Sequence, residues 1–243
     1  MNGFMRWLPR IVFLAASIGA LLVIVAGPGN RFGLWDFRFA LGVLLQYGAY
    51  ISFAAAAGIL IWAVVAAIRR SIEAWRTVLA ALVLVAIGAG FPLAFRGQAM
   101  SVPPIHDIST DTDDPPAFVA VLPLRAGAMN PPEYAGPETA AKQKEAYPDI
   151  QPIMSDESPQ AMFDKALAAA KDMGWEIDAA APEEGRIEAT DTTMWFGFKD
   201  DVVIRVRAEG AGSRLDIRSK SRVGISDVGK NAERIRAFMD KMG

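Results

Sequence analysis

The stretch VVIRVRAEGAGSRLDIR, residues 202–218, decides how the folded part of this chain is built. Val202, Ile204 and Val206 alternate with Arg205 and Arg207, and Leu215 and Ile217 alternate with Arg214, Asp216 and Arg218. A period of two with apolar side chains on one side marks a strand with one buried and one polar face. Between the runs, Gly210-Ala211 fits a two-residue type II′ turn, which takes Gly at its first central position. The resulting register sets Arg205 opposite Asp216 and Ile204 opposite Ile217.

Working upstream, Ile187 and Ala189 alternate with Arg186, Glu188 and Thr190, and Trp175, Ile177 and Ala179 alternate with Glu176 and Asp178. These are two more strands. A companion pairing puts Glu188 across from Arg205, giving a polar row Glu188–Arg205–Asp216. Ser158-Pro159 supplies an N-cap and a proline at the first helical position; Met162, Phe163, Ala166, Leu167, Ala170 and Met173 share a face, and Gly174 stops the helix. Val228, Ala232, Ile235, Met239 and Met242 mark a last helix. Residues 158–243 are thus expected to form an α+β domain, an antiparallel four-stranded sheet with two helices covering its apolar face.

Residues 97–157 read differently. Eleven of the fifteen prolines fall between Pro103 and Pro159. Proline fixes φ and removes a donor, so this stretch is an extended connector. Its one apolar run, Phe118–Leu122, is an edge strand or a segment laid on the domain.

The first 96 residues explain why a chain with 21% charged residues is 52% hydrophobic, with a mean hydropathy of +0.23. They carry eight Arg, no Lys and only Asp36 and Glu73, a net of +6, whereas residues 97–243 carry −8. The overall −2 averages a membrane half and an acidic half. That division excludes a single globular domain, a disordered chain and a nucleic-acid binder dominated by basic charge. Ile11–Ala26, Phe39–Ile68 and Thr77–Phe95 are uncharged runs of 16, 30 and 19 residues, read as three transmembrane helices. The second exceeds one upright span and is accommodated by tilt or by its first part resting near the interface. A secretory signal is the alternative for the first run, but Gly27-Pro28-Gly29 is a poor cleavage site and a retained helix is favoured.

Arg6, Arg10, Arg69, Arg70 and Arg76, against Arg31 and Arg38 in the first outer loop and Arg96 after the last span, favour an inside N-terminus with residues 97–243 outside. Trp7, Trp35 and Trp75 lie at span ends. No Asp, Glu, Lys or His lies inside a span, which argues against a proton relay or ion pathway.

The segments GRIEAT (185–190), FGFKDDVVIR (196–205) and DIRSKSRVG (216–224), with Ser226-Asp227, Gly229, Asn231, Arg234-Ile235 and the upstream IHDISTD (105–111) and Pro115-Pro116, resemble one bacterial and plastid family. It is the domain of unknown function numbered 1499, and the resemblance covers roughly residues 100–243. Membrane-anchored bacterial members carry a similar hydrophobic N-terminal region, with a segment like Gly33–Arg38. The family has no established activity, so the resemblance implies boundaries and leaves the chemistry open.

Zero Cys removes disulfides, thiol nucleophiles and Cys-based metal sites. His106 is the only histidine, so a multi-histidine metal centre is impossible. Gly224 to Gly229 resembles a nucleophile elbow around Ser226, with one residue too many and no hydrolase context. Asp107, Asp111, Asp113 and Asp114 could hold Ca²⁺, but the loop lacks the Gly and distal Glu of an EF-hand; turn-capping in a solvated connector is the better reading. Neither a metal nor a cofactor is expected.

Residues 199–243 are basic, with 11 Lys and Arg against seven Asp and Glu. A Gly-containing turn before a helix presents free backbone N–H groups, and arginines beside it supply bidentate contacts to an anion. The candidate ligand-binding set is Arg205, Asp216, Arg218, Arg222, Gly224, Ser226, Asp227, Gly229 and Asn231. The competing reading makes Glu188, Arg205, Asp216 and Arg218 cross-strand ion pairs and Asp227 a helix cap. Trp195, Phe196 and Phe198 form an aromatic hairpin tip that inserts into a bilayer or partner, or folds back over the sheet. The expected function is a membrane-anchored periplasmic interaction domain, without catalysis, whose partners are the lipid bilayer and an envelope protein or anionic ligand. The alternatives are an enzyme acting on envelope lipids or glycans through Asp and Arg groups, and a structural subunit of a membrane complex.

Overall fold

A computed structural model describes residues 3–71 and 73–243, with side chains from Trp7 onward; the side chain of Arg6 lies outside the described set. The chain divides into two compact units, residues up to Gln98 with Met194–Gly197, and Ala99–Thr193 with Phe198–Gly243.

The first unit contains α1 (Gly3–Arg31), α2 (Phe37–Arg69) and α3 (Trp75–Ser101, its last residues in the second unit), three helices long and apolar enough to cross a membrane. The 33 residues of α2 include a π-helical stretch at Ala40–Leu45, and α3 has another at Ala86–Gly90. Asp36 starts α2 by accepting the Arg38 and Phe39 N–H groups at 2.7 and 3.0 Å. Small residues let the backbones converge: a Cβ on Gly19 or Gly88 would lie within 2.3 or 2.0 Å of the Ser52 hydroxyl.

The second unit is built from β1 (Asp107–Ser109), α4 (Pro137–Ala146), β2 (Ile153–Ser155), α5 (Pro159–Asp172), β3 (Glu176–Ala181), β4 (Arg186–Thr192), β5 (Lys199–Glu209), β6 (Gly212–Ser221) and α6 (Lys230–Met242). The sheet has six strands, not four, in the order β1-β6-β5-β4-β3 with β2 also paired to β6, all antiparallel. The two additional strands are three residues each and lie in the proline-rich stretch, too short to show an alternation. Because β5 occupies one edge of β6, β1 and β2 share the other end to end, on Arg218–Lys220 and Ser213–Leu215.

The hairpin register is as read: Arg205 faces Asp216 and Ile204 faces Ile217. Gly210 has φ +57 and Ala211 does not share the positive φ, as a II′ turn requires. The pairing of Glu188 with Arg205 is corrected. Glu188 faces Val203 and Arg186 faces Arg205, because a six-residue connection links β4 to β5 and no tight turn fixes their register. A bulge between Ile177 and Ala179 also breaks the expected alternation of β3 and leaves Asp178 unpaired.

Ile187, Ile204 and Ile217 form one fully buried row, in a cluster with Met162, Phe163, Ala166 and Ala170 of α5 and Ala232, Ile235 and Phe238 of α6. Trp175 stacks on Phe238 at 5.7 Å between ring centroids. Ser158 caps α5 by accepting the Ala161 N–H, Pro159 occupies its first turn, and Gly174 follows it at φ +77.

Candidate functional site

The opposite face of the sheet carries the rows Arg186–Arg205–Asp216, Glu188–Val203–Arg218 and Thr190–Asp201–Lys220. Alternation alone gives such residues to water. In the structure residues 110–135 lie over them as a strap, and Asp107, Glu188, Asp201 and Asp216 have no exposed surface. Phe118–Leu122 is part of this strap and forms no strand; Phe118 and Val121 pack on Val203.

Each buried carboxylate has its own set of donors. Glu188 accepts the backbone N–H groups of Val119, Ala120 and Val121 at 2.9–3.1 Å and pairs with Arg186. Asp107 takes Arg218 in a two-pronged contact at 2.8 and 2.9 Å, Lys220 at 3.0 Å and the Ala135 N–H. Asp201 holds Arg125 and Arg222 and accepts the Thr190 hydroxyl at 3.0 Å. Asp216 is ringed by Arg205, Arg207 and Arg214, all at 3.0 Å, and Asp111 and Asp114 of the strap close the same arginines from outside.

Burial of a charge is tolerated only with such pairing and hydrogen bonding. Arg218 is 2% exposed, donates to the Pro116 and Pro132 carbonyls, and lies over the Phe118 and Tyr134 rings at 4.8 and 5.4 Å. Lys220 is 1% exposed, and desolvation lowers its pKa despite Asp107. Desolvation likewise lowers Arg125 against the pull of Asp201 and raises the Tyr134 phenol.

The nine residues expected to bind a ligand fall in several places. Arg205 and Asp216 share one cluster, Arg218 belongs to Asp107, and Arg222 belongs to Asp201. The other five lie around the start of α6. The Gly224 carbonyl accepts Asn130 Nδ2 at 2.9 Å, and the Ser226 hydroxyl accepts the Val228 N–H. Asp227 accepts the Gly229 and Asn231 N–H groups at 2.7 and 2.9 Å, so its carboxylate stands where an anion would, and burial raises its pKa. Gly229 has φ +83, and Asn231 is fully buried between Ser219, Ser221 and the His106 carbonyl. The His106 ring meets the Ile225 carbonyl at 3.1 Å.

In the acidic stretch, Asp111 accepts the Asp113 and Asp114 N–H groups as a turn cap, and Asp113 pairs with Lys144. Among the described residues no group of three or more His, Asp or Glu is arranged to hold a metal ion. Trp195 and Phe196 belong to the first unit, where Trp195 meets Phe91 edge-on at 4.5 Å; in the second unit the Phe198 N–H donates to the Thr193 hydroxyl.

Three features were missed in the sequence. Arg125 and Lys220 are polar residues that the strap buries, with no local pattern to mark them. The β3 bulge sets Asp178 within 2.8 Å of the Thr190 hydroxyl, which also reaches Asp201; burial is the main cause of its raised pKa, with Glu176 and Asp201 adding. A polar cleft of about 230 Å³ is lined by Thr110–Asp113, Gln143, Lys144, Tyr147, Gln151 and Arg214.

Fold and site together define a class: three helices able to span a membrane, followed by an α+β domain whose charged sheet face is closed by its own chain. The protein belongs to the family described as "Protein of unknown function (DUF1499)", which matches residues 107–242. The matched region runs from β1 into α6 and includes the whole strap. No curated protein matches the chain.

Proposed function

We propose that this protein is a non-catalytic, membrane-anchored interaction domain of the bacterial cell envelope. Its three helices span the inner membrane from a cytoplasmic N-terminus, and its periplasmic domain, with α5 and α6 covering the apolar sheet face, engages a protein partner or an anionic envelope component. The closure of the charged face carries this reading. Acid–base catalysis needs a carboxyl or cation that reaches substrate, whereas Asp107, Glu188, Asp201 and Asp216 are all buried under the strap. Such a face supports a rigid body that presents its surface. The cleft beside α4 is one place for a polar group to dock, because the exposed Lys144–Asp113 pair contributes only about 0–1 kcal/mol and exchanges readily.

Alkaline phosphatase fused after Gly243 should be active and after Arg70 inactive; the reverse pattern overturns the orientation. Purification of the full chain in mild detergent should bring down a partner or envelope component in fixed ratio. Turnover of an envelope lipid or glycan that is lost in Asp178→Asn would overturn the reading in favour of an enzyme.

A further inference from the structure

The outer surface of the strap differs from its inner one. Between Ala117 and Pro132 the only ionisable residue is Arg125, and it is turned inward onto Asp201. What faces outward is apolar: Leu122 is 43% exposed, Leu124 51% and Met129 44%. Single exposed apolar residues are ordinary, so what matters is whether these form one surface. Arg125 donates to the Asn130 and Ser221 carbonyls, and Asn130 Nδ2 donates to the Ser221 and Gly224 carbonyls. The turn carrying Leu122 and Leu124, the Met129 segment and the loop carrying Ile225, 80% exposed, are therefore tied together by the Arg125 and Asn130 side chains.

That loop is also bonded to the chain leaving α3. The Asp227 N–H donates to the Ile105 carbonyl at 3.1 Å, the Ile225 carbonyl meets the His106 ring, and Gly229 lies against Val102. Val102 is six residues beyond Arg96, the charge that ends the third apolar run. Six residues of helix rise about 9 Å, comparable to the roughly 5–8 Å of headgroup layer on each side of the hydrocarbon core. Chain connectivity alone therefore keeps this loop within reach of the headgroups of any bilayer that α3 crosses.

We propose that Leu122, Leu124, Met129 and Ile225 form a surface that rests in the headgroup layer of the bilayer the helices span, a second and non-helical membrane contact of the domain. An uncharged apolar surface beside a helix exit suits a lipid interface, where apolar side chains bury among headgroups and acyl chains without needing a shaped partner. The inference goes beyond the interaction reading. It requires only that α3 crosses the membrane and holds for either orientation.

The chain has no cysteine, so single-cysteine labelling is clean. Full-length Ile225→Cys, Leu124→Cys and, as an exposed polar control, Glu157→Cys are labelled with an environment-sensitive fluorophore. Each is reconstituted in phosphatidylcholine–phosphatidylglycerol vesicles containing a lipid-attached spin quencher. The labels at 225 and 124 should lose most of their emission to the lipid quencher and resist aqueous iodide, while the label at 157 does the reverse. Iodide access at 225 and 124 equal to that at 157 overturns the proposal. So does protection found in native membranes but absent from vesicles of the purified protein, which would make the occupant another protein.

Discussion

On one face of the six-stranded sheet, Ile187, Ile204 and Ile217 stand in a row and lose all contact with water; one residue along the same strands, Glu188 and Arg218 on the other face are just as dry. The apolar face is buried by the general tendency of hydrocarbon to leave water, which is non-directional and tolerates repacking. The charged face is buried by directed contacts, each needing a partner at one place. The first kind of surface can be closed by any apolar helix. The second can be closed only by a segment that brings Asp111, Asp114, Arg125 and three successive N–H groups to fixed positions. Strap and sheet are thus specific for each other.

The comparison can be broken by removing one partner. Asp107→Ala leaves Arg218 and Lys220 buried without their carboxylate and should cost about 3–5 kcal/mol, read from the urea midpoint of the full chain in detergent. Ile217→Ala on the other face should cost about 2–5 kcal/mol by the same measurement. If the Asp107 variant is nearly neutral while Ile217→Ala is severe, the apolar face alone holds the domain.

Subtler changes sharpen the contrast. Glu188→Gln keeps the side-chain shape but removes the charge that three N–H groups point to; a loss of about 1.5–3 kcal/mol is expected, as for hydrogen bonds to charged groups. Hydrogen exchange at Val119–Val121 should rise in that variant more than exchange in α5. The smallest effect is expected at Asp178. Its native carboxyl holds its proton more tightly than the unfolded one at 3.8, so the native state binds more protons between 3.8 and the raised native value. Stability therefore falls as pH rises through that window. Asp178→Asn removes the fall, so the variant should gain on the wild type from acid to neutral pH in denaturation series. A constant difference across pH would show that Asp178 titrates normally.

Much of this fold is legible in residues whose geometry is local. Gly210 fixes a two-residue turn, and with it the pairing of Arg205 with Asp216; Ser158, Pro159 and Gly174 bound α5. The three helices able to span a membrane follow from length and absence of charge. What escaped depends on distant chain. A period of two distinguishes one face of a strand from the other, but it does not say whether the polar face meets water or a polar covering. The arginines of β5 and β6 therefore admit a ligand site as well as the ion pairs that are the simpler reading. The partners these arginines have in the structure lie about a hundred positions upstream, at residues such as Asp107 and Asp111, which in sequence look like a solvated acidic loop. The bulge at Asp178 has no signature beyond an ordinary alternation.

The sequence distance between strap and sheet also bears on how the domain assembles. Asp107 and Arg218 are separated by 111 residues, Val119 and Glu188 by 69, and Arg125 and Asp201 by 76. Closing loops of that length comes before the contacts that reward it, which slows folding and concentrates it into a late, cooperative step. During synthesis the strap emerges first; Glu188 of β4 and Asp201 of β5 follow it, and its set of partners is complete only when β6, ending at Ser221, has added Arg214 and Arg218. A nascent chain halted before that strand would display its uncapped carboxylates and the apolar strap together, so this domain is completed in its last few dozen residues or not at all.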